Sequence, residues 1–186
     1  KEMLDILTEQ VRLWEGQSPQ PSTAVIDSQS VRSSSLPSPK GIDGNKKVKG
    51  IKRQIAVDKN GHLLDAQTTP ANMHDSKGGL LLLALLAAFH PQVKKILADR
   101  GYRGELIELV RNAFGFNVEI TLSGTSKGKF IPAKGRWVAE RSIAWLDNFR
   151  RLSRNYEDSL ETARQMVIIA GIAMLLNRLP NINIHY

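Results

Sequence analysis

Short β-prone runs and segments of helical period follow one another in an order that permits few folds. Thr23 to Asp27 is a compact apolar run, and two further β-prone runs, Gln54 to Asp58 and Leu63 to Thr68, flank Asn60-Gly61. An Asn-Gly pair between such runs predicts a β-hairpin. Beyond the hairpin, helix-like and strand-like segments alternate. This order predicts an α/β fold with a mixed five-stranded sheet flanked by helices.

The helix-like segments are recognised by apolar residues at three- and four-residue steps, or by apolar character on most sides. They cover roughly residues 2–14, 75–89, 104–114, 135–150 and 160–179. Short strands are predicted near residues 93–98 and 116–122. The segments 33–45 and 123–134 are rich in Ser, Pro, Gly or Lys, and this composition predicts flexible loops.

The chain divides into three parts on this pattern. Residues 1–22 form an N-terminal helix and linker, residues 23–180 form a single domain, and residues 181–186 form a C-terminal tail. The N-terminal helix permits two interpretations: it is the tail of a missing upstream domain, or it is an ordinary core helix of the domain that follows.

Composition narrows the partners and the chemistry. The 186 residues carry 26 Lys+Arg against 18 Asp+Glu, a net charge of +8, which favours a polyanionic partner. There is no cysteine, so disulfides, thiolate metal sites and cysteine nucleophiles are excluded. The longest apolar runs are shorter than the roughly 18 to 20 residues of a membrane span. We therefore expect no membrane partner and a cytoplasmic location.

Three acidic residues stand out by their settings. Asp27 and Asp99 each end a short β-prone run, whereas Glu140 lies in a segment of helical period. Taken singly, each suits a structural role as a turn, cap or solvated helix residue. Taken together, carboxylates from three elements suit Mg²⁺, which prefers hard oxygen ligands, and a pair of such ions suits phosphodiester chemistry. The pattern therefore predicts one metal site.

Five segments around these residues carry a more specific pattern. They are Ala-Val-Ile-Asp27-Ser, Lys-Gly-Ile-Lys-Arg53, Pro-Ala-Asn-Met-His-Asp75, Ala-Asp99-Arg-Gly-Tyr and Arg136-Trp-Val-Ala-Glu140-Arg-Ser-Ile-Ala-Trp-Leu. In kind and order they resemble segments of the DDE transposases of bacterial insertion sequences, in particular the group around insertion-sequence family five. The resemblance runs from about Thr23 to Leu179, and the order of elements is that of an RNase H-like domain.

The resemblance implies a function and a set of ligands. Asp27, Asp99 and Glu140 would be the catalytic residues and would hold two Mg²⁺ ions, for which Mn²⁺ can substitute. The implied activity is cleavage at the ends of a mobile element and strand transfer by transesterification. The partners would be double-stranded DNA, as terminal inverted repeats and target, and a second copy of the chain on the bacterial nucleoid. An inactive DNA-binding remnant and a nuclease that cleaves without joining are the alternatives.

Basic residues supply the candidate DNA contacts. They are Lys46, Lys47, Lys49, Lys52, Arg53, Arg103, Arg136, Arg150 and Arg151. The run from Lys46 to Arg53 can contact phosphates or can be a solvated edge that discourages strand pairing. The family pattern has a tyrosine and a basic residue where this chain has Ala133 and Asp147. These departures affect the predicted contacts with the DNA end, but they do not affect the three predicted metal ligands.

Four other polar residues have open roles. Asp58 and Asp65 flank the hairpin and are predicted to be ordinary turn or edge residues. His74 suits helix entry better than metal binding. Tyr102, after Gly101, is predicted to shape the site entrance or to follow a tight turn.

Overall fold

In the computed structural model, residues 1–35, 38–121, 124–126, 129–131, 135 and 137–179 are described. The helices are α1 (Glu2–Trp14), α2 (Asp75–Phe89), α3 (Glu105–Phe114), α4 (Trp137–Asp147) and α5 (Leu160–Leu176). The strands are β1 (Thr23–Arg32), β2 (Gly41–Asp43), β3 (Val48–Val57), β4 (Leu63–Pro70), β5 (Lys95–Ala98), β6 (Asn117–Ile120), β7 (Gly124–Ser126) and β8 (Lys129–Ile131). Short 3₁₀ turns cover Arg100–Tyr102 and Arg150–Leu152.

The main sheet is mixed and has β1 near its centre. Its long strands lie in the order β4-β3-β1-β5-β6, and β2 pairs with the beginning of β3, so the described chain contributes six strands to it. β1 is antiparallel to β3 and parallel to β5, β3 is antiparallel to β4, and β5 is parallel to β6. This is the predicted RNase H-like mixed sheet, with the short β2 added to the five expected strands.

Helices cover both faces of the sheet and enclose two apolar cores. On one face, Val25 and Ile55 pack with apolar residues of α1, α4 and α5. On the other face, Ile26 and Ile96 pack with residues of α2 and α3. Because successive side chains of a strand point to opposite faces, neighbouring residues such as Val25 and Ile26 enter different cores. This alternation decides which face each polar residue of β1 reaches.

The N-terminal helix is part of this body. Leu4 and Val11 of α1 are fully buried in the same core as Val25. Arg12 is also buried, forms an ion pair with Asp58 at the end of the hairpin, and donates from Nε to the Ser18 carbonyl at 2.9 Å. α1 therefore contributes both apolar and ionic contacts to the domain that contains the sheet.

Asp58 and Asp65 hold the predicted turn and edge positions, but they are not ordinary residues there, because both carboxylates are fully buried. Asp58 is paired with Arg12 and lies 3.0 Å from Nδ1 of His62. Asp65 accepts from the Arg164 guanidinium at 2.9 Å. Burial acts to raise the pKa of Asp58, but the hydrogen bonds and charge of His62 outweigh it and hold that pKa below its ordinary value. Both residues join the hairpin to helices.

Three element boundaries differ from prediction because strand pairing extends beyond the apolar runs. β1 continues through polar residues to Arg32, which pairs with Gly50, so Asp27 lies within the strand and not at its end. Gly41–Asp43, expected in a loop, pairs with β3. β7 and β8 form a hairpin inside the expected loop 123–134. The predicted tail 181–186 lies outside the described residues, and no helix in the described part is long and apolar enough to span a bilayer.

Candidate active site

Asp27 projects from the middle of β1 toward the face that α4 covers. It follows Val25 by two residues, and the alternation of a strand therefore gives both the same face. Gln29, the next residue on that face, donates from Nε2 to both carboxylate oxygens of Asp147 at the end of α4, at 2.9 and 2.7 Å. The Asp27 carboxylate accepts from the Ser28 backbone amide at 2.8 Å.

Asp99 directly follows β5, the parallel neighbour of β1. The parallel register pairs Val25 with Leu97, so Asp27 and Asp99 each lie two residues beyond a paired position. The Asp99 carboxylate caps the 3₁₀ turn by accepting from the Gly101 amide at 2.8 Å. The two predicted ligands are thus brought to neighbouring strands, at the carboxyl end of the parallel pair.

Glu140 lies in the first turn of α4 and is exposed. α4 packs across β1 and β3. It is tied to the hairpin by Ser142, which donates to the Gly61 carbonyl at 3.0 Å, and by Arg141, which donates to the Asn60 carbonyl at 2.8 Å. The helix that carries Glu140 is therefore fixed over the face to which Asp27 points.

The two tryptophans of α4 flank a cation. The Arg141 guanidinium lies 4.4 Å from the ring centre of Trp137 and 4.6 Å from that of Trp145. The three residues are spaced at four-residue steps, so they share one side of the helix. Trp137 remains half exposed, and this stack holds Arg141 on the hairpin.

The side chains of this site are of a kind that binds a hard cation, although their positions do not form a complete coordination shell. In the described part of the chain, no three His, Asp or Glu side chains are close enough to hold one metal ion. The donors of Asp27 and Asp99 are nevertheless carboxylate oxygens, the ligands that Mg²⁺ prefers. Their negative charge acts on the hydroxyl of a buried neighbour, Tyr102.

Tyr102 is 1% exposed and its hydroxyl makes no hydrogen bond of normal geometry among the described residues. Burial raises its pKa well above the ordinary value, and the charges of Asp75, Asp27 and Asp99 raise it further, while the nearby Ser28 hydroxyl opposes the shift. An orphaned hydroxyl among three carboxylates fits a site that takes a group of positive charge. The prediction that Tyr102 shapes a site entrance is wrong, because the side chain is buried below the site.

Asp75, the first residue of α2, is a fourth carboxylate near this place. One oxygen accepts from the Ser28 hydroxyl at 2.9 Å and lies 3.0 Å from Nζ of Lys52. The other lies 3.3 Å from the point where a Cβ on Gly101 would stand, and Asp99 Oδ1 lies 3.0 Å from the same point. His74, exposed beside it, caps α2 by accepting from the Ser76 amide, as helix entry requires.

One sequence signal could have revealed this arrangement. α2, which begins at Asp75, contains Gly78 and Gly79 in its first turns, where glycine lowers helix stability. A Cβ on Gly78 would stand 1.9 Å from the amide nitrogen of Gln54, and one on Gly79 would stand 2.5 Å from the Tyr102 ring. The glycine pair therefore reports that the start of α2 lies directly against β3 and the turn after Asp99.

Two of the predicted DNA contacts are corrected by their burial. Lys52 is 6% and Arg53 is 3% exposed, because β3 lies between β1 and β4 with helices on both faces. Lys52 donates to the Met73 carbonyl at 3.0 Å and pairs with Asp75. Arg53 donates to the Leu152 carbonyl at 2.7 Å, and burial lowers its pKa to about 10 against the opposing charge of Asp147. Neither guanidinium nor ammonium group is presented to a DNA backbone.

The remaining predicted DNA contacts that the structure describes lie on the surface. They are Lys46, Lys47, Lys49, Arg103, Arg150 and Arg151. Arg151 donates to Glu157 at 2.8 Å, and this hydrogen bond raises its pKa. Arg136 and Ala133 lie outside the described residues. Two cations absent from the prediction, Arg32 and Lys40, join Lys47 and Lys49 around an open pocket of about 510 Å³.

A mixed sheet of this order, with Asp27 on β1, Asp99 directly after the parallel strand β5 and Glu140 on the helix that packs across β1, is the architecture of an RNase H-like domain. Comparison with known families agrees: the family model described as the transposase DDE domain matches residues 18–176. The chain therefore belongs to the DDE transposases, and members of this family generally use divalent metal ions.

Individual relatives support the same family. A Burkholderia cepacia protein named as a candidate transposase for insertion sequence element IS402 is 35% identical over 115 residues, which cover 58% of this chain and 54% of that protein. The chain thus matches about half the length of this curated relative. This match and the family model confirm the predicted resemblance to insertion-sequence transposases.

One solved structure shows the same fold at low identity. The chain superposes with a TM-score of 0.53 and 11% identity on a chain of the simian T-cell lymphotropic virus intasome in complex with PP2A regulatory subunit B56 gamma, covering 90% of this chain and 51% of that one. The catalytic domain of Mos1 mariner transposase gives a TM-score of 0.46 with 12% identity, over 95% of this chain and 88% of that one. The second score is too low to add to the fold assignment.

Proposed function

We propose that this chain is the catalytic domain of an insertion-sequence transposase, with Asp27, Asp99 and Glu140 as its catalytic residues. The observation that carries the proposal is the arrangement of three elements: β1, which contains Asp27, runs parallel to β5, which Asp99 directly follows, and α4, which contains Glu140, packs across β1. Membership of the DDE transposases supports this assignment.

The reaction would proceed in two phosphodiester exchanges without a covalent enzyme intermediate. Water first attacks the phosphate at the element end, and the 3′-oxygen of the element leaves as a hydroxyl. That hydroxyl then attacks a phosphate of target DNA, and a target 3′-oxygen leaves as the new bond forms. Two Mg²⁺ ions, or Mn²⁺ in their place, would supply Lewis-acid stabilisation of the attacking and leaving oxygens when bound.

The role of this chain's own residues would be to hold and orient the metal ions. Asp27 and Asp99, set on packed strands, would provide fixed oxygen ligands, and the exposed Glu140 would provide an adjustable one. The hydrogen bonds of Arg141 and Ser142 to the hairpin keep α4 in place while Glu140 adjusts.

Surface cations would bind the DNA backbone. The pocket lined by Arg32, Lys40, Lys47 and Lys49 begins five residues beyond Asp27 on β1, about 17 Å at 3.3 Å per residue. One DNA duplex can therefore contact both places. Phosphate contacts give affinity and register but little sequence information. We extend the proposal to element ends and target DNA as substrates, a homodimer on DNA, and a nucleoid-associated location in the bacterial cytoplasm.

The test is the loss of chemistry in Asp99→Asn, which keeps the shape of the side chain and removes its charge. Labelled element ends, taken from inverted repeats that flank the gene, are incubated with target DNA in Mg²⁺. We expect the parent to nick and join, and Asp99→Asn to fall by at least about 10³-fold in both steps, a loss of roughly 4 kcal/mol of transition-state stabilisation. DNA affinity in a filter or gel assay should be unchanged.

The exposed carboxylate Asp158 gives a matched control, because Asp158→Asn makes the same chemical change away from the site. It should nick and join like the parent. Equal activity of Asp99→Asn and the parent would contradict the proposal. Nicked products without joined ones would instead identify a nuclease, and DNA binding without any Mg²⁺- or Mn²⁺-dependent product would identify an inactive remnant.

A further inference from the structure

Asp75 lies where three elements of the site meet, and its position is set by the start of α2. It is the first residue of the helix, next to the capping His74. A carboxylate in the first turn is stabilised by the helix dipole. Its side chain is about one-third exposed, so it borders the site and is not part of the core.

One oxygen of Asp75 is connected to Asp27 through Ser28. The Ser28 hydroxyl donates to Asp75 Oδ1 at 2.9 Å, and the Ser28 backbone amide donates to Asp27 Oδ1 at 2.8 Å. A single residue of β1 therefore contacts both carboxylates. Movement of Asp75 would release the hydroxyl of Ser28 and loosen the segment that carries Asp27.

The other oxygen of Asp75 is connected to Asp99 through Gly101. Asp75 Oδ2 and Asp99 Oδ1 lie 3.3 and 3.0 Å from the place of a Cβ on Gly101, so both carboxylates border the same small space. Asp99 in turn accepts from the Gly101 amide. Tyr102, the last residue of this turn, packs its ring against Gly79 of α2. The turn after Asp99 is thereby fitted against the helix that carries Asp75.

Lys52 shows that this arrangement is more than a helix cap. Its ammonium group is buried and lies 3.0 Å from Asp75 and 3.9 Å from Asp43. A buried ammonium group is costly unless charges and hydrogen bonds compensate it, and Asp75 provides the nearest charge. The pair holds Asp75 through Oδ1, whereas Oδ2 borders the turn after Asp99.

We propose that Asp75 is a positioning residue of the transposase site: held by Lys52 and Ser28, it fixes both the Asp27 segment of β1 and the Asp99–Tyr102 turn. This inference rests on the proposed function, since it concerns the same site. Asp75 does not touch the reacting atoms in this assignment. Partners of metal-ligating side chains commonly change metal affinity or activity by about 10- to 100-fold when removed.

The test uses Asp75→Ala in the full chain, with three measurements. Mn²⁺ affinity is measured by electron paramagnetic resonance without DNA and should fall about 10- to 100-fold. Hydrogen exchange of the Gly101 amide, followed by NMR, should become faster because its acceptor Asp99 is less restrained. In the nicking assay kcat should fall by a similar factor while the Kd for DNA stays at the parental value, a split that general loss of structure would not give.

Glu108→Ala removes an exposed carboxylate from α3 and should leave all three measurements unchanged. Asp75→Asn keeps an acceptor for Ser28 and should fall between the parent and Asp75→Ala. If Asp75→Ala does not fold, Ser28→Ala removes the same hydrogen bond by deleting its donor. The same measurements on Ser28→Ala then test the positioning role.

Parental Mn²⁺ affinity together with parental Gly101 exchange in a folded variant would overturn the positioning role, and so would a parent chain that binds no Mn²⁺. If the parent binds Mn²⁺ and DNA yet never nicks or joins, the proposed function fails instead. Metal affinity and exchange still decide the role of Asp75 in that case.

Discussion

Asp147 stands where the family pattern has a basic residue, and its contacts explain why an acid is accommodated there. It accepts two hydrogen bonds from Gln29, the residue that follows Asp27 on the same face of β1. Its charge also supports Arg53, whose pKa burial lowers to about 10. Among the described residues Nε of Arg53 has no hydrogen-bond partner, which makes the nearby carboxylate more important. The departure from the family pattern thus has a structural role in this chain.

Restoring a basic residue should therefore harm the fold. Asp147→Lys removes both acceptors of Gln29 and places a second cation near buried Arg53. We expect the free energy of unfolding to fall by about 1 to 3 kcal/mol, measured by urea denaturation. Asp158→Lys, the same change at another exposed aspartate, should stay within about 0.5 kcal/mol of the parent. Equal stability of the two variants would contradict this explanation.

At the level of elements, α1 is joined to the sheet by one buried ion pair as well as by apolar contacts. Arg12 and Asp58 are both buried, and His62 and the Asn60 amide complete the hydrogen bonds of Asp58. The pair connects the helix to the hairpin between β3 and β4, on which α4 also rests through Arg141. The hairpin is therefore a shared support for the first helix and for the helix that carries Glu140.

Breaking this pair should destabilise α1 most. Arg12→Met keeps the length of the side chain but leaves Asp58 buried without its cation, which costs about 3 to 5 kcal/mol in comparable cases. We expect that loss in urea denaturation, with amide exchange in α1 accelerating more than in α5. Lys59→Met, at an exposed lysine of the same hairpin, is the control. A stable Arg12→Met protein with slow exchange in α1 would refute the assignment.

For the molecule as a whole, positive charge is divided between the surface and the interior. Lys52, Arg53 and Arg12 are buried and compensate carboxylates or carbonyls, so they do not add to the field that attracts DNA contacts. Lys47 and Lys49 remain exposed beside the pocket near the end of β1. At least these three of the 26 Lys and Arg residues are therefore not available for direct contact with DNA.

Salt dependence can count those contacts. If Lys47 and Lys49 each neutralise one phosphate, Lys47→Ala/Lys49→Ala should reduce the slope of log affinity against log salt by about 2. Fluorescence anisotropy with duplex DNA at several salt concentrations gives this slope. Lys59→Ala/Lys94→Ala removes two exposed charges elsewhere and should reduce it less. An equal reduction in both double variants would mean that the pocket is not a preferred contact.

Much of the fold was predictable from the sequence because it depends on local patterns. The Asn60-Gly61 hairpin, the five helices and the order of strands follow from turn chemistry and apolar periodicity within short windows. The candidate ligands Asp27, Asp99 and Glu140 were also identified from their segments. Their roles in catalysis remain predictions that the proposed variants test.

The sequence by itself determined the kinds and order of the elements, whereas tertiary structure decided which polar residues meet. Ser28 and Asp75 are 47 residues apart and contact each other only because β1 pairs with β3 and α2 returns across that face. The same pairing buries Lys52, which an open basic run would expose to solvent. The Gly78-Gly79 pair indicates a close approach of α2, but no local pattern says which residues meet there, because that depends on strand register. The three candidate ligands can be predicted from the sequence, whereas their support by Asp75 appears only in the folded chain.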